Sequence, residues 1–178
     1  EVEVGADRVR IGEPGNVVIE DESDLVILQQ WANAATEQGA AIWVQLNHPG
    51  KQSPKGLNST NLSPSAIPFR ADMAGFFETP REATTAEIDE IIQRFGRSAA
   101  ICRKAGFSGV QIHGAHGYLI HSFFSPFSNR RSDAFGGTLE KRMRFSLLVA
   151  EAVRALWPED KPVFYRASCV DNVPGGVV

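Results

Sequence analysis

Residues 107–119 read Phe107-Ser108-Gly109-Val110-Gln111-Ile112-His113-Gly114-Ala115-His116-Gly117-Tyr118-Leu119, and the fold turns on how this stretch is understood. Phe107 to Ile112 is too short for a helix, and its β-branched content suits a buried strand. The run then breaks into two imidazoles and a phenol separated by Gly114, Ala115 and Gly117. Glycines let a backbone turn sharply and bring neighbouring side chains together. In a continuing strand His113 and His116 would point to opposite faces; in a glycine-bracketed turn they can converge. Strands that end in convergent polar groups are how α/β scaffolds carry active sites.

Outward from this stretch the chain alternates between strand and helix signals. Residues 1–20, with Val2, Val4, Val9 and Ile11 alternating, read as a loose β-ribbon or extended connector. Asp21 to Asp24 supply an acidic helix start, Leu25, Leu28, Ala32 and Ala35 hold helical spacing, and Gly39 closes the helix. Ala40 to Leu46 is apolar except for Gln45, as in a strand covered on both faces. A long connection, 47–83, carries Asn47, His48, Lys51 and three phenylalanines, a density that predicts a packed loop. Thr84-Thr85-Ala86-Glu87 forms a capping box ahead of a helix with Ile88, Ile91, Ile92, Phe95, Ala99 and Cys102 on one face, ended by Gly106. Beyond the opening stretch, a second long loop over 114–137 leads to Thr138, an N-cap for a helix with Phe145, Leu148, Val149, Ala152 and Leu156 inward. Pro158 stops it, and Pro162 to Ser168 is the next strand, carrying Arg166 near its end.

Alternation of this kind gives a parallel α/β sheet. Gln45, His113 and Arg166 lie towards the C-terminal ends of predicted strands and so share one rim, the active-site rim of a (β/α) barrel. Loops after strands are long and those after helices short, which favours a barrel segment. No Gly-x-Gly-x-x-Gly follows a strand, which disfavours a dinucleotide fold.

The 178 residues suffice for one domain, and 43% hydrophobic with 22% charged residues is ordinary globular usage. A net charge of −3 gives no reason to expect nucleic acid or an anionic membrane as partner. No membrane span or signal peptide is read, and Cys102 and Cys169 fit no disulfide framework, so a cytoplasmic setting is expected. A start on Glu1 and a stop on Gly-Gly-Val-Val read as cut ends.

From the residues alone several readings stay open. His113 and His116 could be satisfied by backbone in a structural turn, or bind a metal in a barrel hydrolase with His48, His121 or Asp133 as third ligand. Tyr118 could be an ordinary rim tyrosine. Gln45 must find a partner in a loop or a ligand, and Arg166 an anion or an acidic neighbour. Asn129-Arg130-Arg131 with Asp133 could be a solvated loop. A non-catalytic truncated barrel is a further reading.

Three blocks of sequence go beyond this. Val44-Gln45-Leu46-Asn47-His48-Pro49-Gly50-Lys51, His113-Gly114-Ala115-His116-Gly117-Tyr118-Leu119, and the run from Ser125-Pro126 through Asn129, Arg131, Asp133, Gly136, Gly137, Glu140, Arg142 and Phe145 resemble the Old Yellow Enzyme family of FMN-dependent ene-reductases. Lys51 stands where that family usually has Arg, Phe135 where it has Tyr, and Lys141 where it has Asn. The resemblance implies a TIM barrel with FMN at its C-terminal rim and NAD(P)H as reductant. It implies cofactor-binding roles for Gln45, Arg166 and His113, with Gln45 bonding the flavin's pyrimidine edge and Arg166, beside the flavin, stabilising negative charge on the reduced ring. His113 and His116 would hydrogen-bond the oxygen of an activated alkene such as an α,β-unsaturated carbonyl. Tyr118 would protonate the α-carbon; a phenol with pKa about 10 keeps its proton at neutral pH. A full barrel takes about 250 residues. The expectation is therefore an incomplete single barrel domain over 1–178, with about the third to fifth strands, inactive alone. Self-association of the complete protein is left open.

Overall fold

The computed structural model describes residues 2–3 and 14–177. Strands β1 (Val2–Glu3) and β2 (Val17–Val18) precede helix α1 (Leu25–Thr36), strand β3 (Trp43–Asn47) and the short strands β4 (Leu62–Ser63) and β5 (Arg81–Glu82). Helix α2 (Thr85–Ala105), strand β6 (Gly109–Gly114), helices α3 (Leu119–Phe124) and α4 (Leu139–Leu156), and strand β7 (Val163–Ala167) complete the order. The main sheet runs β2-β1-β3-β6-β7 with every pairing parallel. The three longer strands are those the sequence predicts. Two-residue β1 and β2 add to one edge, so the described part of residues 1–20 joins the sheet in parallel rather than forming a ribbon. Val4, Val9 and Ile11 lie outside the described residues.

Alternation sorts the sheet into two faces. Val44, Leu46, Val110 and Ile112 point to the helices and are at most 3% exposed. They join Ile88, Ile91, Phe95, Phe145 and Val149 in one core. On the opposite face the register sets Gln45 beside Gln111, then Phe164, and one layer higher His113 beside Arg166. Below them Trp43, 52% exposed, stacks on Phe164 with ring centroids 4.4 Å apart.

Local signals explain the helix ends. Thr84 Oγ1 accepts from the Glu87 amide and Glu87 Oε2 accepts from the Thr84 amide, completing the capping box. Gly106 closes α2 in the left-handed conformation at φ 97°, which a Cβ disfavours. Thr138 caps α4 as expected.

Neither long loop is plain coil. Segment 47–83 holds β4 and β5 as a small parallel pair, and 114–137 contains α3, whose six residues are too few for a helical period to register. Arg131 is 9% exposed and no solvated charge. Its guanidinium donates to the carbonyl oxygens of Pro64 (3.1 Å) and Ala83 (2.6 Å) and pairs with Asp133, whose carboxyl it holds below the usual range. Asn129 Nδ2 donates to the Phe123 and Phe135 oxygens at 2.6 and 2.7 Å. The third sequence block is thus the brace that fixes the two loops to each other.

Candidate active site

The strand carrying the opening stretch runs two residues further than predicted, to Gly114, so His113 still belongs to it. Its side chain, on the face away from the helices, is 2% exposed. The turn that follows passes through two consecutive left-handed residues, His116 at φ 58° and Gly117 at φ 78°. That reversal brings the His116 ring back to His113, centroids 5.3 Å apart, and sets the Tyr118 ring 4.9 Å from His113 on another side. Both pairs are edge-to-face. The convergence of His113 and His116 that the glycines allow is what the structure shows, and Tyr118 joins them.

Proton positions follow from the partners. His113 Nδ1 accepts from the Ala115 amide at 3.2 Å, so the ring proton of the neutral imidazole sits on Nε2, a donor. Burial, with His116 and Arg166 adding to it, pulls the His113 pKa down to about 4. Across the strand pair, Arg166 Nη2 lies 3.4 Å from His116 Nε2. A guanidinium only donates, so in this contact Nε2 accepts and His116 keeps its proton on Nδ1. The site is therefore two neutral imidazoles, each with an N–H, a phenol, and one permanent cation.

One layer deeper, Gln45 Nε2 donates to Gln111 Oε1. Gln45 lies mid-strand rather than at the strand end, because β3 continues to Asn47. Each amide spends one group on the other, which leaves one donor and one acceptor on the inward face. Sequence reasoning missed Gln111; the usable signal was its place two residues before His113, on the same face of the strand. His121 joins neither imidazole: its Nδ1 accepts from the Gly117 amide at 2.8 Å. His48 Nδ1 accepts from the Gly50 amide at 3.0 Å. Among the described residues no three His, Cys, Asp or Glu side chains gather as a metal site. No helix there is long and apolar enough to cross a membrane.

A pH dependence follows from His113. The unfolded side chain takes a proton near pH 6.5, whereas the folded one resists it until about 4. The unfolded state binds more protons in that window, so stability is level above about pH 6.5 and falls as pH drops towards 4. Urea unfolding of the gene product at about pH 7 and about pH 5 should show this loss, and His113→Leu should shrink it.

A parallel sheet covered by helices on one face, with polar groups converging where its strands end, is the architecture of an α/β-barrel segment. Residues 4–177 match the NADH:flavin oxidoreductase / NADH oxidase family, and the chain belongs to it. It is 44% identical over 150 residues to an NADPH dehydrogenase of Geobacillus sp. (strain WCH70), covering 84% of this chain and 42% of the relative. To an NADPH dehydrogenase of Clostridium acetobutylicum it is 46% identical over 133 residues, covering 75% and 38%. Among solved structures, morphinone reductase superposes with a TM-score of 0.84 at 26% identity, over 94% of this chain and 48% of that one. A 2-naphthoyl-CoA reductase in complex with 2-naphthoyl-CoA gives 0.87 at 27% identity, over 99% and 28%. The chain spans about two fifths of the length of the curated relatives it matches.

Proposed function

We propose that this chain supplies one side of the active site of an FMN-dependent NAD(P)H oxidoreductase that reduces an activated alkene, such as an α,β-unsaturated carbonyl. The observation that carries this reading is the convergence of two neutral imidazole donors and a phenol directly above paired amides and beside a cation.

The residues present fit FMN. A flavin's pyrimidine edge offers both N–H and C=O groups, and Gln45 with Gln111 has one acceptor and one donor left for it. Arg166 gives a permanent positive charge where a reduced flavin ring would carry negative charge. When bound, FMN supplies the hydride, drawn from NAD(P)H, that the alkene's β-carbon receives. His113 and His116 donate N–H to the substrate oxygen and stabilise the enolate charge that builds there, as preorganised donors do in an oxyanion hole. Neutral imidazoles suit this role because each offers an N–H, and His113 does so without titrating near neutral pH. Tyr118 delivers its phenolic proton to the α-carbon.

Open sheet edges remain at β2 and β7 among the described residues, and the inward face is exposed at Trp43. The 178-residue polypeptide by itself should therefore not retain flavin through gel filtration. The gene product that carries it should retain one FMN per chain. Stoichiometric zinc without flavin would instead favour the metal-hydrolase reading of His113 and His116.

A further inference from the structure

The turn that aims His116 is held in part by side chains that the proposed chemistry does not use. Five consecutive amides, Ala115 to Leu119, each find a partner. Tyr118 and Leu119 donate to the carbonyl oxygens of Ala115 and His48 at 3.2 and 3.0 Å. The other three bind side chains: Ala115 to His113 Nδ1, His116 to Ser168 Oγ at 3.0 Å, and Gly117 to His121 Nδ1 at 2.8 Å. Gln52 Nε2 also donates to the His116 carbonyl at 2.7 Å.

His121 is the most deeply set of the side chains that bind this turn from outside the proposed chemistry. Its acceptor role at Nδ1 puts the ring proton on Nε2, which lies 3.2 Å from Asp171 Oδ1, with both side chains 9% exposed. Asp171 is itself fixed, since Oδ2 accepts from Ser125 Oγ at 2.8 Å and from the Val177 amide at 3.0 Å. Asp171 and Ser168 both follow β7, so the loop after one strand holds the turn after its neighbour. Left-handed backbone at a non-glycine residue such as His116 costs energy and persists only where surroundings over-determine it.

We propose that His121, backed by Asp171, is a positioning residue: it holds the left-handed His116–Gly117 turn and so keeps the His116 imidazole beside His113 for the substrate oxygen. This rests on the function proposed above, and it assigns a role to a histidine that touches no reacting atom.

The test uses the complete gene product with His121→Leu, which can neither accept nor donate, and His121→Gln, whose amide can do both. Hydrogen exchange, followed by mass spectrometry, should speed up roughly tenfold over 115–119 in the Leu variant, with 109–112 unchanged, as expected for one lost buried hydrogen bond. The kcat for alkene reduction should fall about tenfold, and the Gln variant should recover it to within about threefold. Unchanged exchange over 115–119 would overturn the clamp. Faster exchange with unaltered alkene kinetics, or a Gln variant as slow as the Leu variant, would overturn the positioning role. If the parent protein reduces no alkene at all, the proposed function fails, while the exchange measurement still judges the clamp.

Discussion

Replacing Tyr118 with Phe should slow alkene reduction by roughly 10²–10⁴-fold, the usual worth of a positioned general acid. Reduction of the bound flavin by NAD(P)H should be nearly unchanged, because no proton is delivered to carbon in that half-reaction. The geometry supports this split. Tyr118 begins α3 without using its side chain to cap it, and its ring stands edge-to-face to His113 with centroids 4.9 Å apart. The phenol is thus held beside His113, the donor proposed for the substrate oxygen. Phe keeps the ring packing and removes only the hydroxyl, so folding and flavin content should be preserved. Equal loss in the two half-reactions, followed separately by stopped-flow absorbance, would remove Tyr118 from the role of acid.

The second large effect belongs to His113. His113→Leu should lower kcat for alkene reduction by about 10²–10³-fold, the cost of deleting one preorganised donor to a developing oxyanion. His113→Asn, which retains an N–H donor, should recover part of that loss. Because His113 is neutral down to about pH 4, its donor role should leave no inflection in the alkene rate between about pH 6 and 8. An inflection in that range that disappeared in His113→Leu would show instead that the imidazole works by changing protonation state.

Features set by neighbours in sequence were the legible ones. Thr84 and Glu87 announce their helix start because the capping box is built within one helical turn. The small residues around His116 announce the reversal that brings two imidazoles together. Gln111 was easily passed over because it sits inside an apolar run; its place two residues before His113 puts it on the same face, and its cross-strand place beside Gln45 makes it half of a paired amide layer. The His121–Asp171 pair joins residues far apart in the chain and carries no spacing signal; it exists because neighbouring strands of a parallel sheet release their loops on the same side. For Arg131 the residues alone leave a solvated loop open, since nothing local shows that the Pro64 and Ala83 carbonyls accept from it. The proposed alkene roles of His113, His116 and Tyr118 came from the family blocks, and the geometry added what those blocks could not: the hydrogen-bond partners of the two imidazoles and of the turn between them.

Whether this rim of imidazoles and phenol activates an alkene over a flavin is decided by anaerobic double-mixing stopped flow on the complete gene product. NAD(P)H first bleaches the flavin absorbance, and a simple cyclic enone is then added. The enone should restore the oxidised spectrum at a rate that saturates with its concentration, yielding the saturated ketone. Flavin that stays bleached with enone and is restored only by dioxygen or a quinone would contradict alkene activation at this site.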